Sequence, residues 1–214
     1  MLAFTPHELI RRHFKVAAYA VVGMLVGALL VWRFDHVVTL HKLPIPILSE
    51  AIIAEEGGEA PEPTRLRIEA ADVDAAFESP LGLRNNYEIQ VPESYDDVGY
   101  YKHGPKPGEL GPAVILGHVD SYEDSAVFYR VAYLEEGDTI EVDRADGSTA
   151  VFVVESLEHH SQAGFPTEKV YSDLDYAGLR LITCSGSFDR GEQRYSHNLI
   201  VFAKLIDVRQ SASS

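Results

Sequence analysis

Residues 149–157, Thr149-Ala150-Val151-Phe152-Val153-Val154-Glu155-Ser156-Leu157, hold Val151, Phe152, Val153 and Val154 in unbroken succession. Successive side chains of a strand point to opposite faces, so an apolar run without alternation belongs to a strand buried on both. Such a strand passes through the middle of a barrel or sandwich. Further strand candidates lie at 64–68, 87–91, 113–116, 139–142, 179–183 and 198–205. Turn signals separate them, among them Asp146-Gly147, Gly137-Asp138 and the proline- and glycine-rich residues 105–111. Helical content is small: one turn near 93–98, one near 124–133 and one opened by Pro166-Thr167-Glu168. The pattern predicts an all-β fold, most simply a closed barrel.

Two of these apolar runs end in chemistry. The only cysteine stands in Leu181-Ile182-Thr183-Cys184-Ser185-Gly186, after a strand-like run and before a glycine turn. Ala113-Val114-Ile115-Leu116 ends likewise in Gly117-His118-Val119-Asp120, and Arg194 opens a third run just beyond the cysteine. Cysteine, histidine and arginine at three strand ends suit acyl transfer through a thioester, with a thiolate nucleophile and an imidazole that gives and takes protons. Reference pKa values make the thiolate of Cys184 only a few per cent of the thiol at pH 7, so the competent species is a minor one.

The N-terminus gives this chemistry a place. Residues 16–32 carry no charge, and as a helix they span about 26 Å, close to a ~30 Å hydrocarbon core. Arg33 and Phe34 extend the reach by snorkelling and interfacial burial. Arg11, Arg12 and Lys15 precede the run, so the positive-inside rule puts residues 1–15 in the cytoplasm and the rest outside, held by an uncleaved anchor over 16–34. Residues 35–63 form a stalk: Pro44, Pro46, Pro61, Pro63 and Gly57-Gly58 alternate with glutamates, and residues 44–63 hold no basic residue. One domain, 64–208, and a short tail, 209–214, follow.

The formal net charge is −15, and the first 34 residues are net basic, so the acidity belongs to the outer domain. That charge argues against nucleic acid, whose phosphates bind clustered lysine and arginine. A single cysteine leaves no internal disulfide; with no His-Glu-x-x-His, no paired cysteines and scattered acids, no metal or cofactor is expected.

Several segments together resemble the bacterial sortases, closest to the class F branch. They are Leu116-Gly117-His118-Val119-Asp120-Ser121, Ala126-Val127-Phe128-Tyr129-Arg130, Glu136-Gly137-Asp138, Phe165-Pro166-Thr167 and the cysteine segment, with Ile89-Gln90-Val91-Pro92 and Lys106-Pro107-Gly108-Glu109 upstream. The resemblance spans about residues 65–206. It implies an eight-stranded barrel and a membrane-anchored cysteine transpeptidase of the bacterial cell membrane, its catalytic domain extracellular. Such enzymes cleave a Leu-Pro-x-Thr-Gly (LPxTG) type sorting motif between Thr and Gly and pass the acyl group to a peptidoglycan precursor or another amine. Carried over, Cys184 is the nucleophile, His118 the general acid and base, and Arg194 the group that holds the substrate carbonyl and its oxyanion. Thr183, Ser185, Asp120 and Asn198 stand by as substrate-binding candidates. Asp120 has two further readings: it orients the histidine, or it caps the turn before Tyr122.

The arginine departs from the family pattern, because Tyr195-Ser196-His197-Asn198 holds none where many relatives do. Strand alternation puts Arg194, Ser196 and Asn198 on one face and Tyr195 and His197 on the other, which favours Arg194, with Arg190 as the alternative. Arg180, where sortases commonly carry threonine, reads as an outward residue of little consequence. A hydrolase or pilus-polymerising enzyme on the same scaffold, or a non-catalytic barrel that binds peptide or glycan, are the other functions open to such a chain.

Overall fold

The computed structural model describes residues 59–85 and 88–210, all within one compact unit. The expected anchor and most of the stalk lie outside the described residues; among those described, no helix is long and apolar enough to cross a membrane. Eight strands form a single sheet: β1 (Pro63–Ile68), β2 (Val73–Ala76), β3 (Gly99–Tyr100), β4 (Gly111–Leu116), β5 (Thr139–Arg144), β6 (Thr149–Ser161), β7 (Ala177–Asp189) and β8 (Arg194–Arg209). Their order is β2-β1-β5-β6-β8-β7-β4-β3.

The sheet curls without closing, which corrects the expected closed barrel. Among the described residues, its two edges meet only beyond β2 and around β3, through the isolated parallel bridges Phe77↔Val98 and Leu81↔Tyr101. Pro80 lies between these bridges and has no amide hydrogen to donate, so no ladder runs through the gap. Of the expected strand at 87–91, the described residues 88–91 hold a single bridge, Leu83↔Ile89. β2 alternates buried and exposed residues over only four positions, and β3 has two residues, too few to show a period. Of the expected helical turns, 93–98 is a bend, 124–133 keeps one 3-10 turn (Tyr129–Tyr133), and Pro166 opens a real helix, Thr167–Tyr171.

Burial on both faces is what the consecutive apolar residues of the central strands produce. Ile115, Leu179, Leu181, Leu199 and Val201 enter the interior with Leu66, Ile68, Phe128, Ile140 and Phe152. Their neighbours Val114, Ile182, Ile200 and Phe202 form a second cluster on the outer face, where Val170 of the short helix covers them. Arg180 shares that outer face but is buried to 3% exposure, its guanidinium 4.7 Å from the centre of the Phe202 ring. The expectation of an inconsequential outward residue is corrected by this cover.

One pairing positions the chemistry. β4 and β7 are parallel, with Leu116 opposite Ile182. Two residues further along each strand, in the same direction, stand His118 and Cys184. Gly117 permits the exit of β4 from the sheet, because a Cβ there would come within 2.7 Å of the Phe128 ring.

Candidate active site

Cys184 and His118 line one cleft of about 680 Å³. Its walls carry Tyr95, Asp120, Tyr122, Thr183, Phe188, Arg190, Tyr195 and Asn198. The mouth is aromatic: Tyr122 is almost fully exposed and Phe188 and Tyr95 are partly so.

Cys184 is the free cysteine of the chain and is half-buried. Burial pushes its thiol up, and the negative charge of Asp120 pushes the same way. His118 is fixed by two contacts. Its Nε2 lies 2.8 Å from the carbonyl oxygen of Pro92, which only accepts, so this nitrogen carries the proton and the neutral ring keeps its lone pair on Nδ1. The Tyr95 ring packs against it at 4.7 Å between centres, tilted by 52°.

Among the described residues Asp120 makes no hydrogen bond to the histidine, and it does not cap the turn. Ser121 does the capping, its hydroxyl accepting from the amides of Glu123 and Asp124. Asp120 instead accepts a hydrogen bond from the Tyr195 hydroxyl, joining the loop after β4 to the β7–β8 hairpin. Burial, and then this bond, raise the Tyr195 phenol to about 12.

The remaining candidates divide. Asn198 is the direct cross-strand partner of Cys184 and lines the cleft. Thr183 is buried, its hydroxyl without a hydrogen-bond partner among the described residues. Ser185 lies outside the cleft lining, 3.1 Å from Nδ1 of His159. Arg194 is also outside the lining; it is largely exposed and pairs with Glu192 at 2.8 Å. Arg190 lines the cleft. The alternation argument fails at Tyr195, which lines the cleft together with Asn198. The reason is a register shift between Ser185 and Phe188 in the β7–β8 pairing, which breaks the face assignment downstream. Gly186 sits in that irregularity at φ +80, where a Cβ would fall 2.5 Å from the Ser196 hydroxyl.

Sequence reasoning gave Tyr95 and Pro92 no role in the site and put Tyr195 on the face opposite Asn198. The first two reach the site from a loop more than twenty residues upstream of His118, and no local pattern announces that contact. Among the described residues, no group of three or more His, Cys, Asp or Glu is placed to hold a metal ion.

A cysteine and a histidine at matched ends of parallel strands, in a curled eight-stranded sheet, define a cysteine acyl-transfer enzyme. The sortase domain model matches residues 66–206, and the chain belongs to the sortase family, the cysteine transpeptidases. Solved structures agree in fold. Sortase A of Listeria monocytogenes matches at a TM-score of 0.54 and 14% identity, over 72% of this chain and 92% of that one. Sortase A of Corynebacterium diphtheriae matches at 0.54 and 19%, over 80% and 74%. Sortase C-3 of Streptococcus pneumoniae matches at 0.53 and 16%, over 74% and 69%. No curated protein matches the chain in sequence.

Proposed function

We propose that this transpeptidase is of the class F type and acts outside the bacterial cell membrane, anchored through residues 16–34. Its donor is a protein ending in an LPxTG-type motif, and its acceptor is an amine of a peptidoglycan precursor or of another protein. The observation that carries the reading is the β4–β7 register, which delivers His118 and Cys184 to one cleft. The basic residues before position 16 support the anchor.

The steps follow from the groups present. The Cys184 thiolate attacks the threonine carbonyl carbon. As the tetrahedral adduct collapses, the C–N bond breaks and the His118 imidazolium gives its proton to the departing glycine amine. The acyl group is left on sulfur as a thioester. The incoming amine attacks that carbonyl, loses a proton to His118, and the thiolate leaves. The negative oxygen formed in both steps needs a cation in the cleft, and Arg190 lines the cleft where Arg194 does not. We assign the oxyanion role to Arg190.

The test is mass spectrometry of the full chain with a Leu-Pro-Ala-Thr-Gly peptide and excess triglycine. A thioester on Cys184 and a ligated product lacking the leaving glycine are expected. Hydrolysed peptide alone would make the enzyme a hydrolase, and turnover by Cys184→Ala would remove the mechanism.

A further inference from the structure

The wall of the cleft beyond His118 is made by two turns. The chain leaving β4 folds back at once: Asp120 bridges Ser125, and Ser121 closes the turn by donating its amide to the carbonyl of Asp124 at 2.7 Å. Tyr122 stands in that turn, 89% exposed and lining the cleft. From the hairpin come Phe188 and Tyr195, paired across β7 and β8 with ring centres 5.1 Å apart, and both line the same cleft. The hydrogen bond from Tyr195 to Asp120 ties the two turns together.

Among the described residues Asp120 is the one carboxylate that lines the cleft, and no lysine, arginine or histidine comes within ion-pair distance of it. Tyr195 bonds its Oδ2, which leaves Oδ1 able to accept. The charge of Asp120 works against the donor step, because it helps burial to hold the Cys184 thiol protonated. Once the acyl group is on sulfur that opposition ends, since a thioester carries no charge. The carboxylate therefore suits the second half of the reaction, in which the attacking group is an amine that arrives as a cation. Exposed aromatic faces beside a carboxylate hold an ammonium together with its alkyl stem, by the ring quadrupole and by apolar contact.

We propose that this wall is the acceptor subsite, and that it takes a primary amine carried on an alkyl stem, of the lysine side-chain type. Asp120 receives the ammonium, and Tyr122 and Phe188 flank the methylenes behind it; the α-amine of a glycine has no such stem. The bound ammonium releases one proton to water, and the neutral nitrogen attacks the thioester carbonyl. Attack makes that nitrogen positive in the tetrahedral adduct, so Asp120 favours the transition state as well as binding. The second proton passes to His118, and the C–S bond breaks to free the thiolate. Arg190, the cation of the same cleft, serves the carbonyl oxygen and leaves the nitrogen to Asp120. The acceptor assignment rests on the transpeptidase reading; the affinity of the wall for an alkylammonium does not.

The experiment acylates the full chain with a Leu-Pro-Ala-Thr-Gly peptide and measures the ratio of ligated to hydrolysed product with pentylamine and with ethylamine, two equally basic amines that differ in stem. The ratio does not depend on how much of the enzyme is active. Pentylamine should give a ratio about tenfold higher, the scale of a few methylenes partly withdrawn from water. Asp120→Asn should lower the ratio about tenfold with both amines while thioester formation rises a few fold, a split that a damaged fold cannot produce. Phe188→Ala should bring the two amines within about threefold of each other. Tyr195→Phe keeps the carboxylate and should lose less than threefold; a loss equal to that of Asp120→Asn means that hairpin placement acts in place of charge, and overturns the proposal. Equal ratios for the two amines in the parent overturn the alkyl preference, and a ratio unchanged in Asp120→Asn overturns the subsite. Should no thioester form, the ring resonances of Tyr122 and Phe188 are followed during titration with pentylammonium chloride. Saturable shifts that Asp120→Asn abolishes would then remove the transpeptidase reading and keep the subsite, and no shift would overturn both.

Discussion

The two ends of β7 and its hairpin follow different rules. Where β4 and β7 run side by side, six successive residues of each are paired in register, and the fate of His118 and Cys184 is set by backbone hydrogen bonds and by burial beneath them. Beyond Ser185 the pairing with β8 slips before it resumes at Phe188↔Tyr195 and Asp189↔Arg194, and Arg190 and Gln193 are placed by the turn between the strands. Asp189 anchors that turn by accepting from the amides of Gly191 and Glu192. The nucleophile and its proton carrier thus follow directly from two paired strands, while the cation sits on the turn of a hairpin. Paired strands suit groups between which bonds form at fixed distance; a long guanidinium reaches its oxyanion from a turn.

The largest effect should come from the paired strands. Cys184→Ala is expected to lower transfer by at least about a thousandfold, because no other group in the cleft can form the thioester. Peptide cleavage by this variant within tenfold of the parent would place the chemistry elsewhere. On the hairpin side, Arg190→Ala should reduce kcat by about a hundredfold, the scale of losing one oxyanion donor, whereas Arg194→Ala should change it less than threefold. The reverse ranking in steady-state kinetics would return the role to Arg194 and mean that its exposed pair with Glu192 opens when substrate binds. Tyr95→Ala sharpens the same contrast: the ring that packs on His118 is lost while the Pro92 contact remains. A fall in kcat of about tenfold with little change in KM is expected, since His118 would lose orientation and not substrate.

How much of this was legible depends on the same division. Val151, Phe152, Val153 and Val154, and the runs ending at Leu116 and Thr183, announce strands covered on both sides because burial acts on each residue where it stands. Cys184 and His118 are legible for the same reason, being the first polar residues after such runs. The closure of the barrel was not, since Pro80 and two single bridges decide it across a gap in sequence. Tyr195 was misplaced because alternation assumes unbroken register, and the irregularity around Gly186 breaks it. Arg180 reads as a surface residue until the helix Thr167–Tyr171 is laid over β7, a contact between segments that share no periodicity. Tyr95 and Pro92 had no local signal at all.

The smallest expected effect is also the most diagnostic of how the two regions meet. Asp120 leaves the end of β4 and holds the hairpin through Tyr195, and its charge adds to burial in keeping Cys184 protonated. A raised thiol pKa means that the thiolate, and so the rate of alkylation, is gained only as pH climbs above the ordinary thiol value of ~8.5. Removing the negative charge lowers that pKa, so Asp120→Asn should move the midpoint of the iodoacetamide rate profile to lower pH and raise the rate at pH 7.5 by a few fold. Tyr195→Phe keeps the charge and removes only its hydrogen-bond donor, so its midpoint should stay or rise. Opposite directions in the two variants would show that the link across the cleft acts on sulfur through charge. A midpoint unchanged in Asp120→Asn would leave burial alone responsible, and Asp120 would then be a strut between the β4 loop and the hairpin.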